Sequence, residues 1–184
     1  MNQPHQHQRV GSPQLVARVA WLLLLAGASV EGAEPAELRT AEQVRQLTPS
    51  EAAKSIPVRL KGVVTFYDDL IHSRFIQDST AGIYLQTTNA QTLTAGQIVE
   101  VDGVTSPGEY APVIVPITVK VVGEGGLPAA RPVTIEQLVS GHEDSQFVEA
   151  SGIVRSVRFE AETQRYLIDL VAGGERFTAY AKQL

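Results

Sequence analysis

The sequence predicts an all-β protein with short capping helices: a five-stranded antiparallel barrel followed by a second, incomplete one. Three observations predict it. Residues 74–86 read as two short apolar strands around Asp78, Ser79, Thr80, Ala81 and Gly82, a tight-turn composition in which Asp and Ser bond nearby backbone. Residues 58–64 and 99–104 both alternate apolar and polar side chains until a glycine, Gly62 or Gly103, followed by valine. A glycine within a strand permits a bulge or a sharp bend, because no Cβ blocks close backbone approach. Finally, the pattern restarts: residues 134–138 echo 40–44, and residues 148–154 echo 58–64, in the same order.

Residues 1–28 are a different kind of sequence. A polar stretch with His5, His7 and Arg9 but no acid precedes Arg18 and an apolar run over 19–30. The run contains Trp21 and four consecutive leucines, and ends in the small residues Ala26, Gly27 and Ala28. It is shorter than the roughly 20 apolar residues a membrane helix needs. A positive flank, a short apolar core and an Ala-x-Ala-like site together predict a cleaved secretory signal peptide over 1–28. An uncleaved anchor over 15–30 is the alternative, and the charge of Arg18 inside it argues against that. The two histidines read as a solvated leader. The remainder is therefore expected to be exported, periplasmic or otherwise extracytoplasmic, tethered only if the leader stays.

Composition limits the function classes. With 43% hydrophobic and 19% charged residues, the 184-residue chain has enough apolar surface for a packed core. It contains no cysteine, which excludes a disulfide, a thiolate nucleophile and a Cys-ligated zinc. The formal charge is −5, and losing the leader removes arginines but no acids. Nucleic-acid binders show the opposite balance, since phosphate neutralisation supplies their nonspecific affinity. Nucleic acid is thus not expected as a partner.

After a linker over 29–39, Thr40 followed by Gln43 forms a capping box, and Thr48 with Glu51 repeats it with Pro49 at the first helical position. Two short helical turns should end before Ser55. The first strand spans 56–67, with Val58, Leu60, Val64 and Phe66 on one parity and Arg59, Lys61 and Thr65 on the other. Residues 68–73 are a loop, 87–96 are irregular, and 98–105 form the fourth strand. The fifth shows strict alternation of Val113, Val115, Ile117, Val119 and Val121. Pro112 and Pro116 cannot donate to a ladder, so this strand should be an edge or carry a bulge. The first unit is therefore 40–126 and the second 127–184. The second has a capped helix at Thr134, a bent strand over 148–154, and strands over 166–171 and 176–181 around Gly173 and Gly174. Its three strands against five predict unpaired edges, covered either by a longer product or by a partner.

Five strands, a bent first and fourth strand, and the hairpin over 75–84 resemble an OB-fold. More narrowly, residues 40–158 resemble the N-terminal extracytoplasmic OB-like region of bacterial sensor histidine kinases, the receptors of two-component systems. The matching segments are 56–67, 103–112 and 140–146. In that family the region precedes a membrane segment and a cytoplasmic kinase. No phospho-acceptor helix or ATP-binding segment occurs in this sequence, so kinase activity is not expected and no cofactor is implied.

The resemblance implies a ligand surface on strands two and three, between the loops joining strands one to two and four to five. Here that surface would include Tyr67, His72, Arg74, Tyr84, Gln86 and Tyr110, with Asp68 and Asp69 in the first loop. Tyr84 and Gln86 have parity opposite to the core-like Ile83 and Leu85. Of Phe75 and Ile76, only one can point inward easily. Asp68, Asp69 and His72 are residue types that bind a divalent cation, but the loop reads first as solvated acids, and no metal is expected. Asp69, His72 and Ser73 are triad residue types, yet a triad is a matter of geometry rather than sequence proximity. His142 should end the second capped helix, where an imidazole suits the helix dipole. The three tyrosines have either a stacking or a packing role. The expected function is a noncatalytic extracytoplasmic binding or sensory module with an unidentified small ligand or protein partner. The alternative is an exported protein binding oligonucleotides or oligosaccharides.

Overall fold

The computed structural model describes residues 36–87 and 91–184; the expected signal peptide and residues 29–35 of the linker lie outside the described residues. In chain order the elements are α1 (Ala41–Arg45), α2 (Pro49–Ala52), β1 (Pro57–Asp68), β2 (Ser73–Gln77), β3 (Gly82–Tyr84), β4 (Gln97–Ser106) and β5 (Val113–Glu124). Then come β6 (Arg131–Pro132), α3 (Ile135–Val139), β7 (Val148–Glu149), β8 (Ile153–Glu160), β9 (Arg165–Ala172) and β10 (Glu175–Ala181). The protein is mostly β, in antiparallel sheets, with few short helices. Among the described residues no helix is long and apolar enough to cross a membrane.

Each helix begins where the sequence places a cap. Thr40, Thr48 and Thr134 accept the backbone N–H three residues on, and Gln43, Glu51 and Gln137 reach back to the cap's own N–H. These reciprocal bonds satisfy donors that a four- or five-residue helix leaves open.

The larger sheet has the order β3-β2-β1-β4-β5. Strand β1 pairs with β4 over Pro57–Val63 and with β2 over Val63–Asp68, so it changes neighbours just past Gly62. A bridge between Leu85 and Ile114 runs parallel, and Gln86 N–H donates to the Ile114 carbonyl at 2.8 Å. The core between these strands consists of Val58, Leu60, Val64, Ile76, Ile83, Leu85, Val99, Val101 and Ile114, with Val44 and Ala41 supplied by α1. Burying each such aliphatic side chain contributes about 1.5–3 kcal/mol.

Two bulges correct the expected parities. The β1–β2 register slips between Val64 and Phe66, leaving Thr65 as the extra residue. Beyond it Tyr67, not Phe66, turns inward, and the buried Thr65 donates its hydroxyl to the Phe75 carbonyl at 3.3 Å. In β5 the register slips opposite Asp102 and Gly103, where Gly103 pairs with Pro116 and Asp102 with Thr118. Ile117 is the bulged residue and stands exposed, whereas Ile114, outside the alternating set, is buried. A Cβ on Gly103 would lie 2.5 Å from the Val115 carbonyl oxygen, so this approach requires glycine. Ile76 is the inward member of its pair, with Phe75 only half-buried.

The second half departs further from its expected form. The bent strand over 148–154 is broken: β7 pairs in parallel with β6, and β8 starts only at Ile153. Strand β8 then forms a three-stranded sheet of order β10-β9-β8, in register from Ile153–Val171 to Glu160–Arg165. Cross-strand register puts Val154, Val157 and Phe159 on one face with Tyr166, Ile168, Leu170, Phe177, Ala179 and Ala181. None of these nine side chains is buried, and Phe159 is 57% exposed. The opposite face carries Arg165 and Leu167, which are buried. Arg165 there meets Asp68 at the end of β1, with Nε donating to Oδ2 at 2.6 Å.

Candidate functional site

The hairpin positions the first wall of a cleft. Because Ile76 and Ile83 point into the core, their neighbours Phe75 and Tyr84 share the outer face as a cross-strand pair. The two rings lie 5.5 Å apart at 58°, a tilted arrangement that suits aromatic quadrupoles. The Tyr84 hydroxyl donates to the His72 carbonyl at 2.8 Å, tying β3 to the β1–β2 turn. His72 itself has a positive φ of 51°.

The second wall is the loop between β4 and β5. It turns at Gly108 and projects Glu109 and Tyr110, the latter 94% exposed. Ala111 and Val113 lead back into β5, next to Gln86.

A third wall comes from a segment 64 residues downstream of Gly82. The side-chain amide of Gln146 accepts from Gly82 N–H at 3.0 Å and donates to the Gly82 carbonyl at 3.1 Å, as a neighbouring strand would. Phe147 N–H donates to Gln77 Oε1 at 3.1 Å. A Cβ on Gly82 would fall 2.0 Å from the Ser145 carbonyl oxygen, so the segment closes on β3 only because residue 82 is glycine. Arg45 of α1 donates to the Asp144 carbonyl at 2.8 Å from behind. Asp144 and Ser145 thereby join the hairpin in lining a cleft of about 470 Å³. That volume lies within the range of small-molecule sites, roughly 300–1,000 Å³.

His72, Tyr84, Gln86 and Tyr110, four of the residues singled out from sequence, converge on this cleft. Tyr67 and Arg74 do not. They are cross-strand partners on the buried side, where the Arg74 guanidinium lies 5.8 Å from the Tyr67 ring centre and donates from Nε to Asp69 Oδ1 at 2.8 Å. Burial, then the charge of Asp69, pushes the Tyr67 hydroxyl pKa up. Burial pulls the Arg74 pKa down, but the hydrogen bond it donates to Asp69, together with the charge of that carboxylate and the nearby tyrosines, leaves it raised. Tyr67 borders a separate hollow of about 80 Å³ with Leu85, Leu93 and Ile117.

The loop acids are also committed elsewhere. Asp68 receives Arg165 and the Leu70 N–H, and lies 3.7 Å from Lys182 Nζ. Burial raises its pKa, but the Arg165 hydrogen bond and its companions outweigh that and hold the carboxyl below the ordinary range. Asp69 pairs with Arg74, and the Ser73 hydroxyl donates to the Ile71 carbonyl. Asp68, Asp69 and His72 thus point in three directions, and among the described residues no three His, Asp or Glu side chains gather as metal ligands. His142 lies beyond the end of α3, its Nδ1 2.9 Å from the Ser140 hydroxyl.

Sequence reasoning missed Phe75, Glu109, Asp144 and Ser145. Loop length and parity locate the first two at the rim. The other two are brought in by the Gln146–Gly82 pairing across 64 residues, which no local pattern encodes. The completed cleft offers a tilted pair of rings, a third free ring, one amide, one imidazole and two carboxylates, all groups that recognise a ligand. No protein-family model matches the chain, and no curated protein matches it significantly.

Proposed function

We propose that this protein is an exported, noncatalytic binding module in which residues 40–126 form an OB-like five-stranded barrel and the cleft holds a small ligand. The barrel reading is supported by the strand order β3-β2-β1-β4-β5 together with the parallel contact of Leu85 and Ile114, which brings the two ends of that order side by side. One observation carries the binding reading: His72, Tyr84, Gln86 and Tyr110 come from both loops and the intervening strand face, and all line one cleft. This is where OB barrels take their ligands. Its resemblance to the input region of two-component sensor kinases gives the module a sensory role outside the cytoplasm.

The test is amide NMR of the exported protein with a panel of small ligands. Shifts clustered on residues 71–75, 84–86 and 108–113, and abolished by Tyr84→Ala in a variant with an otherwise unchanged spectrum, are expected. Shifts clustered elsewhere, or none across the panel, overturn the reading. Export is checked separately with a reporter enzyme active only outside the cytoplasm, fused after residue 184; an inactive fusion with residues 1–28 present contradicts it.

The near-complete exposure of the Tyr110 ring favours a second reading, an oligosaccharide or oligonucleotide binder that stacks on it. It predicts affinity rising with oligomer length and lost in Tyr110→Ala.

A further inference from the structure

Resting on the binding reading of the cleft, we propose that its ligand is an organic cation, a small molecule bearing a quaternary ammonium or a protonated amine. The rings of Phe75 and Tyr84 form a pair on one side, and the Tyr110 ring stands free on the other. Aromatic faces carry negative quadrupole density and attract a cation placed within about 6 Å of the ring centre. Glu109 and Asp144 both line the same cleft and bring two carboxylates to it. Its described lining contains no lysine or arginine. Two arginines in contact with its walls are already committed. Arg45 donates to the carbonyls of Asp144 and His142 and borders a separate hollow, and Arg74 is buried against Asp69.

An anion entering this space would meet two carboxylates without a counter-charge. A neutral ligand would gain the ring contacts but not the attraction. A cation gains both, and an alkylated ammonium gains most, because its methyl groups spread the charge over an apolar surface that packs on the rings. The carboxylate share of this selectivity should weaken with salt over a Debye length of about 8 Å, and the ring share should persist.

Titration calorimetry of the full chain with choline, its neutral isostere 3,3-dimethylbutan-1-ol, spermidine and acetate tests this. Choline is expected to bind about tenfold or more tightly than the isostere, with acetate not bound. Glu109→Gln with Asp144→Asn is expected to lower choline affinity about threefold or more, leave the isostere unchanged and flatten the salt dependence. Equal affinity for choline and the isostere, an unchanged choline affinity in the double variant, or no binding of either choline or spermidine overturns the inference. The cleft reading is judged separately: neutral or anionic ligands whose NMR shifts map to the cleft would retain it while the cation inference fails.

Discussion

Asp78 connects two elements far apart in sequence. Its Oδ1 accepts the N–H groups of Thr80 at 2.7 Å and Ala81 at 3.0 Å, closing the β2–β3 turn. Its Oδ2 accepts Ala41 N–H at 2.7 Å, and the Thr80 hydroxyl oxygen accepts Glu42 N–H at 3.1 Å. With Thr40 taking Gln43 N–H, the three leading donors of α1 are all satisfied. Losing a carboxylate that caps a helix costs about 0.5–2 kcal/mol, and this one also holds a turn, so Asp78→Ala should fall at the upper end. Asp78→Asn replaces one acceptor with a donor facing an N–H, and should lie between wild type and Asp78→Ala. Urea denaturation checks both through the transition midpoint. An Asp78→Ala midpoint equal to wild type would show that the double role is not energetic. The turn role of Asp78 was legible from its neighbours; its bond to Ala41, 37 residues upstream, has no local signature.

At the scale of elements, caps were legible, and strand parities were legible only as far as the first bulge. A capping box is local, three residues wide, so Thr40, Thr48 and Thr134 announce themselves. Parity is local only until a bulge, and one extra residue moves every later side chain to the opposite face. In β5 the alternation of Val113, Val115 and Ile117 continues through Val119 and Val121, yet the bulge at Ile117 aligns Ile114 and Pro116 with Val119 and Val121 instead. The two signals were present separately, a glycine in β4 and a proline in β5. Only the fold puts Gly103 opposite Pro116. The energetic consequence is specific to two neighbouring isoleucines. Ile114 is fully buried, and Ile114→Ala should cost about 2–5 kcal/mol. Ile117 is 69% exposed, and Ile117→Thr should stay within about 0.5 kcal/mol. Thermal unfolding of the two variants separates them; a larger loss for Ile117→Thr would mean the strand keeps its simple alternation.

Across the whole molecule, the three-stranded sheet keeps its apolar face open, while Arg165 on its opposite face and Lys182 just beyond β10 reach the larger sheet. That division explains why the candidate metal loop was misread. Asp68 looked like a solvated loop acid, but its partners Arg165 and Lys182 lie about a hundred residues downstream. Nothing near position 68 signals them, and only the unequal strand count hinted that the second half would need contacts outside itself. Lys182 adds a bond from Nζ to the Tyr67 carbonyl at 2.8 Å and lies 5.6 Å from the Phe66 ring centre. Asp68 and Arg165 are both buried, so removing the carboxylate alone strands a guanidinium. Asp68→Ala should therefore cost about 3–5 kcal/mol, and Asp68→Ala with Arg165→Leu should recover part of it, because the pair also carries a desolvation cost. The Asp68 carboxyl titrates below its ordinary value in the folded chain. Its contribution is therefore complete above the unfolded-state pKa of about 3.9 and declines as pH falls through the folded value. The stability gap between wild type and the double variant, measured by urea denaturation from neutral pH into acid, should hold constant down to about pH 4 and change below it. A gap that does not move on acidification would mean the carboxylate is not held by the second half of the chain, and the contact between the two sheets would have to rest on Leu167 and its neighbours alone.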